Sequence, residues 1–174
     1  VAEILETDAS ILDPTEPKEP PTASGRVAFE QVTFTYPGAE EPVLSNITFS
    51  SEPGQTTAIV GPTGSGKSTI AALIQRFYDV TAGRILVDGQ DVRVYRQADL
   101  RARIGYVSQK VVLFSGTVAS NILYGNERAT AEDIEHAATI AQARDFVETS
   151  PDGYDRAIAQ GGANVSGGQR QRLA

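Results

Sequence analysis

An α/β fold built round a phosphate-binding loop, with a β portion ahead of it and a mostly helical portion behind it, is predicted by three observations. Gly61 to Thr69 reads GPTGSGKST between a β-branched run and a helix-forming run. Residues alternate between two faces from Arg26 to Tyr36, ahead of a second short strand-like run, Ile47 to Ser51. Beyond Gln109 the apolar residues recur at helical spacing.

In chain order, Val1 to Leu5 (VAEIL) has the character of the end of a helix. Thr7 to Ser24 concentrates proline, glutamate and small polar residues, the composition of an extended linker. From Arg26 to Tyr36, Val27, Phe29, Gln31 and Thr33 alternate with Ala28, Glu30, Val32 and Phe34, which predicts a strand with two partly apolar faces. Ile47 to Ser51 predicts a second strand, closed by the turn Glu52-Pro53-Gly54, and Gln55 to Val60 (QTTAIV) a third that runs into Gly61. Ile70 to Phe77 (IAALIQRF) predicts the helix after the loop. Gly83 to Val87 and Arg103 to Ser108 predict further strands, with the turn Asp88-Gly89-Gln90 following the first of them. Thr117 to Tyr124, Ala131 to Ala143 and Arg144 to Thr149 predict helices, and Thr130 with Asp133 three residues on approximates a capping box. Residues 110–165 are thus expected to be a helical subdomain within a domain covering 26–174.

The loop has a specific chemistry. Gly61, Gly64 and Gly66 let the backbone curl so that successive N–H groups point at phosphate oxygens, and the helix N-terminus adds partial positive charge. Lys67 can reach β and γ phosphates, and Ser68 is placed to ligand a magnesium ion bridging them. Pro62, Thr63, Ser65 and Thr69 complete the candidate nucleotide-binding stretch.

Composition narrows the field. A net charge of −7 argues against a general nucleic-acid phosphate face, which displays excess lysine and arginine, so no nucleic-acid partner is expected. Absence of cysteine excludes disulfides, thiol catalysis and Cys-ligated zinc. The single histidine, His136, lies in the amphipathic run AEDIEHAATIAQA without an orienting partner and reads as a solvated helix residue, not a general base. No window approaches the roughly 18 apolar residues of a membrane span. The chain opens at Val1, holds no methionine, and ends at Ala174 within helical text that has neither a Gly cap nor a Pro stop. The expectation is a piece of a longer protein, incomplete at its C-terminus.

Near that end stands Val165-Ser166-Gly167-Gly168-Gln169, followed by Arg170-Gln171-Arg172. A hydroxyl, bare backbone N–H groups and a helix start make this a second candidate anion site; the same residues also suit a Gly turn that caps a helix.

The pair GPTGSGKST and VSGGQRQR, with Gln109 between them in YVSQ, resembles the nucleotide-binding domain of ATP-binding cassette (ABC) transporters over nearly the whole chain. The tracts PVLSNITF (Pro42 to Phe49), RFYD (Arg76 to Asp79), GRILVDGQDVR (Gly83 to Arg93) and LFSGTVASNILYG (Leu113 to Gly125) are similar to those of exporter-type half-transporters. The resemblance implies an ABC ATPase core with an N-terminal antiparallel β subdomain, ATP and Mg2+ as ligands, and a cytoplasmic-face location in an integral membrane protein. It implies that residues 1–25 link to an upstream transmembrane domain. Gln109 is implied to act with Lys67 in catalysis, sensing magnesium and the γ phosphate, and Tyr36 in FTYPG to stack on adenine. Ser166, Gly167, Gly168 and Gln169 are implied to meet a nucleotide held by a second ATPase domain, and the helices after Gln109 to receive coupling helices of the membrane domain.

Two departures stand out. Val165 replaces the usual leucine of the signature, and Gln160-Gly161-Gly162 stands where many homodimeric exporters carry Glu-Arg-Gly, which favours a heterodimer. The Walker B aspartate, the catalytic glutamate and the switch histidine of the family are expected downstream of Ala174, so the intact protein is expected to be an ATPase and this piece inactive alone. Rival readings are a soluble ABC ATPase of DNA repair or chromosome maintenance, a degenerate non-hydrolysing half of a heterodimeric exporter, and a phosphate-loop kinase or GTPase. The last leaves Val165 to Gln169 unexplained.

Overall fold

The computed structural model describes residues 9–126 and 128–174, in two compact units divided between Gly105 and Tyr106. The helix end expected at Val1 to Leu5 lies outside the described residues.

In the first unit, β1 (Val27–Phe34) pairs antiparallel with both β2 (Leu44–Ser51) and β3 (Ala82–Val87), and β3 pairs with β4 (Gln90–Asp91), giving the order β2-β1-β3-β4. The simple alternation expected of β1 does not hold. Gln31 adopts φ 51 and the register shifts on both sides of it, a bulge that turns Val32 and Phe34 into the same core as Phe29. Opposite that bulge Gly83, at φ 77, brings its backbone so close that a Cβ would lie 2.4 Å from the carbonyl oxygens of Glu30 and Gln31. Phe29 stacks on its cross-strand partner Phe49 with centroids 4.7 Å apart. Asp88 (φ 51) and Gly89 (φ 81) form a two-residue turn of the mirror type between Val87 and Gln90, the hairpin geometry that Asp-Gly favours.

Two helices cover this sheet: α1 (Lys67–Ile74) contributes Ile70 and Leu73, and α2 (Gln97–Arg101) contributes Leu100. A fully buried leucine such as Leu73 stabilises the fold by roughly 1.5 to 3 kcal/mol relative to leaving it in water. The helix begins three residues earlier than expected and stops before Phe77. Its end is a Schellman motif, with Phe77 N–H donating to Ala72 O and Arg76 N–H to Leu73 O, and Arg76 at φ 53 where glycine is usual.

Two expected strands are absent. Gln55 to Val60 and Arg103 to Ser108 join no ladder, and Ile59 and Val60 are 42% and 88% exposed. Both segments have strand composition, but a strand exists only where backbone groups meet a neighbouring ladder, and among the described residues neither finds one.

The segment read as a linker is docked along residues 11–26. Arg76 donates to Leu12 O and Gln97 to Ile11 O, while Asp13 accepts from Gln97 N–H. Lys18 N–H donates to Val94 O and Arg103 to Pro21 O. Asp88 Oδ1 then collects the N–H groups of Ser24, Gly25 and Arg26 and the Ser24 hydroxyl.

The second unit has its own core of Leu113, Val118, Ala138, Ala143, Val147, Ile158, Val165 and Leu173. Around it stand α3 (Val118–Leu123), α4 (Ala131–Ile140), α5 (Arg144–Glu148) and α6 (Gly167–Arg172), with a two-residue ladder of β5 (Gly116–Thr117) and β6 (Ala157–Ile158) that sequence periodicity is too short to reveal. Capping boxes open three helices: Thr117 with Ser120, Thr130 with Asp133 as expected, and Ser166 with Gln169. Helix α4 ends at Ile140 instead of continuing to Ala143, because a second Schellman motif places Gln142 at φ 56 and returns Ala143 N–H to Ala138 O.

Candidate functional site

Two groups of residues carry the candidate chemistry, one in each unit. In the first, Gly61 to Thr69 leads into α1. Gly64 (φ 86) and Gly66 (φ 85) are left-handed, the conformation that curls the loop and that residues with a Cβ resist. A Cβ at Gly61 would lie 2.7 Å from Ser65 Oγ, and one at Gly66 2.7 Å from Leu44 Cδ2, whereas Gly64 faces open space. No side chain caps α1 at Gly66. Its first-turn N–H groups are therefore available to an anion, and the dipole of the helix favours one there.

Lys67 Nζ donates to the carbonyl oxygens of Gly61 (2.8 Å) and Pro62 (2.6 Å) and to Ser65 Oγ (3.3 Å). These partners are dipoles, and among the described residues no carboxylate forms an ion pair with it. The ammonium charge is fixed at the loop without being neutralised. Pro62, Thr63 and Ser68 are exposed beside it, and Thr69 is buried at 5% exposure.

Tyr36, just past the end of β1, is brought to this loop. Its hydroxyl lies 2.9 Å from Thr69 Oγ1, and its ring meets Phe34 and Tyr78 edge-on, with centroids 4.8 and 5.2 Å away. Sequence reasoning singled out Tyr36 and Thr69 but not Tyr78, which lies in the RFYD tract and carries no local mark of such a role.

In the second unit, Gln109 is exposed in a bend, and His136 is exposed on α4 as expected. Ser166 Oγ accepts from Gln169 N–H (3.2 Å) while Gln169 Oε1 accepts from Ser166 N–H (3.0 Å), so the motif caps α6, and Gly167 and Gly168 are exposed at the helix start. Arg170 holds the approach to it, donating to Gly162 O and Val165 O, both at 3.1 Å. A Cβ at Gly162 would come 2.8 Å from Arg170 Cδ, whereas one at Gly161 meets nothing within 4 Å. Both glycines sit in the left-handed region, at φ 67 and φ 69, where a Cβ is resisted whatever the space around it, and Gly162 is in addition packed against Arg170.

The residues of the loop fit a nucleoside triphosphate with magnesium: an uncapped helix start, a fixed lysine and an exposed Ser68 hydroxyl, with no cluster of three acidic or histidine ligands among the described residues that would hold a metal without the phosphates.

Comparison with known proteins gives the family. A family model described as ABC transporter matches residues 44–174. An uncharacterized ABC transporter ATP-binding protein of Mycobacterium tuberculosis (strain ATCC 25618 / H37Rv) is 51% identical over 178 residues, covering 100% of this chain and 30% of that protein. The ATP-dependent lipid A-core flippase of Escherichia coli (strain K12) is 52% identical over 153 residues, covering 87% of this chain and 26% of the flippase. A solved structure of a bacterial Atm1-family ABC exporter with ATP bound is similar with a TM-score of 0.91 at 38% identity, covering 99% of this chain and 30% of that one. The chain therefore spans about a third or less of each of these relatives. None of them is a DNA-repair ATPase, and that alternative gains no support. With the loop, the antiparallel sheet and the signature helix in place, the chain belongs to the ABC transporter family, as part of an exporter-type ATP-binding domain.

Proposed function

We propose that this chain binds ATP at Gly61 to Thr69 and hydrolyses it, within a longer exporter, to drive movement of a substrate across a membrane. The observation that carries the reading is the uncapped start of α1 with Lys67 fixed to the loop carbonyls but unpaired with any carboxylate among the described residues. Phosphoryl transfer asks the protein mainly for positioning and charge stabilisation. The backbone N–H groups and Lys67 supply both to the phosphates, and Tyr36 supplies the surface for the base. Magnesium, when bound, would offset negative charge on the phosphates, and the Ser68 hydroxyl of the loop would hold it.

Ser166 to Gln169 are assigned to a nucleotide on a second ATPase domain, with the two domains facing head to tail. Exposure of Gly167 and Gly168 at a helix start supports that assignment. Gln160-Gly161-Gly162, in place of the Glu-Arg-Gly of many homodimeric exporters, supports a partner that is a different polypeptide. Phe114 and Tyr124, stacked at 4.5 Å and both exposed in the second unit, are suited to receive a membrane domain at the cytoplasmic face.

ATPase turnover of the full-length protein carrying Lys67→Ala tests the reading. Loss of most activity is expected, since a charge acting on the transferred group is removed. Unchanged turnover would refute it.

A further inference from the structure

Tyr36 is not free to choose its orientation. Phe34 lies at 4.8 Å and 77°, Tyr78 at 5.2 Å and 88°, and Phe34 and Tyr78 themselves meet at 5.5 Å and 48°, so the three rings form one closed cluster. The hydroxyl end is tied separately, 2.9 Å from Thr69 Oγ1 on the first turn of α1. Edge-on aromatic contacts fix a ring's plane, and the hydroxyl bond fixes its rotation about the remaining axis. Tyr78 is itself anchored, because it follows the Schellman turn at Arg76 and precedes Asp79, whose carboxylate pairs with the buried Arg76 guanidinium at 2.9 Å. The base-stacking ring is thus held against the same helix whose N-terminus takes the phosphates.

We propose that Tyr78 is a positioning residue for nucleotide binding: together with the Tyr36–Thr69 hydroxyl bond it pre-sets the Tyr36 ring relative to the phosphate loop before the base arrives. This rests on the assignment of Tyr36 to the base. Pre-setting lowers the ordering cost that binding would otherwise meet, and it acts only on the ligand's base end. A triphosphate without a base gains nothing from it.

The test compares two ligands on the purified full-length protein, ATP without magnesium and inorganic tripolyphosphate, each titrated by calorimetry. For Tyr78→Leu the ATP dissociation constant is expected to rise about fivefold, the scale of one aromatic pair, while that of tripolyphosphate stays put. Tyr78→Phe keeps the ring and should restore wild-type ATP affinity. Tyr36→Phe, which keeps all three rings and removes only the hydroxyl, should weaken ATP about threefold and leave tripolyphosphate unchanged. Equal weakening of both ligands in Tyr78→Leu would mean that Tyr78 merely supports α1, and no change in either would mean that it does nothing; each result overturns the proposal. Tyr36→Ala separates the two layers. If it leaves ATP affinity intact, the base assignment itself fails, whereas a loss there with none in Tyr78→Leu and Tyr36→Phe sinks only the positioning role.

Discussion

Gly64 and Gly66 differ in one physical respect, and a pair of alanine substitutions isolates it. Both sit in the left-handed region, at φ 86 and φ 85, so either substitution carries the same backbone cost of roughly 1 to 2 kcal/mol. Only Gly66 is hemmed in: its Cβ would lie 2.7 Å from Leu44 Cδ2 and 3.2 Å from Val43 O. Leu44 is itself core, 4% exposed, so it must shift into packed neighbours, at a further cost of about 1 to 3 kcal/mol. Gly66→Ala should therefore destabilise the loop and first turn of α1 by about 2 to 5 kcal/mol, and Gly64→Ala by about 1 to 2 kcal/mol. Hydrogen exchange at the amides of Ile70 to Ile74 in the full-length protein reports the local opening free energy in each variant. Equal losses in the two would refute the claim that close packing against Leu44, and not φ alone, demands glycine at position 66.

Other expectations follow from the same geometry. The Asp88 side chain is 4% exposed; burial pushes its carboxyl upward, but the hydrogen bonds from the Ser24 hydroxyl and the N–H groups of Ser24, Gly25 and Arg26 outweigh this and hold it below the ordinary aspartate value of 3.8. A depressed carboxylate stabilises the folded state above its unfolded value and loses that contribution as pH falls through the folded one. Asp88→Asn should loosen the docked segment by about 1 to 3 kcal/mol at neutral pH, seen as faster tryptic cleavage after Lys18, and the gap from wild type should close below pH 3.8, where acid-stable pepsin replaces trypsin as the probe. Tyr36→Ala should weaken nucleotide binding by roughly 1 to 3 kcal/mol in equilibrium titration, the scale of a base on an aromatic face. Ser166→Ala removes one half of the capping box and should cost α6 about 1 kcal/mol by local hydrogen exchange, whereas Ser166→Arg should block ATP-dependent pairing of domains in sedimentation without impairing ATP binding at the loop.

What could be read from residue order was local. The phosphate loop is contiguous, and its glycines, lysine and flanking periodicity all sit within one strand-turn-helix length of text. Capping at Thr130 and Asp133 was legible for the same reason. The strand expectations for Gln55 to Val60 and Arg103 to Ser108 failed because composition states a preference and only a neighbouring ladder satisfies it. Gln31, Arg76 and Gln142 hold positive φ without being glycine, so no residue type announced the bulge or the two helix ends. The docking of residues 11–26 was hidden because its anchors, Arg76, Asp88, Gln97 and Arg103, stand dozens of residues away and each looks like an ordinary surface side chain in isolation. Tyr78 escaped for the same reason: an edge-on contact with Tyr36 is a product of the fold.

The central claim is that phosphates sit on the backbone N–H groups of the loop from Thr63 to Thr69. Hydrogen–deuterium exchange of the full-length protein, with and without ATP and in the absence of magnesium, reads those groups one by one. The account predicts strong slowing at Gly64 to Thr69 on addition of ATP, reversed when ATP is withdrawn, and slowing at Ser166 to Gln169 only at concentrations where domains pair. Unchanged exchange across Thr63 to Thr69 in ATP concentrations that saturate binding would contradict it.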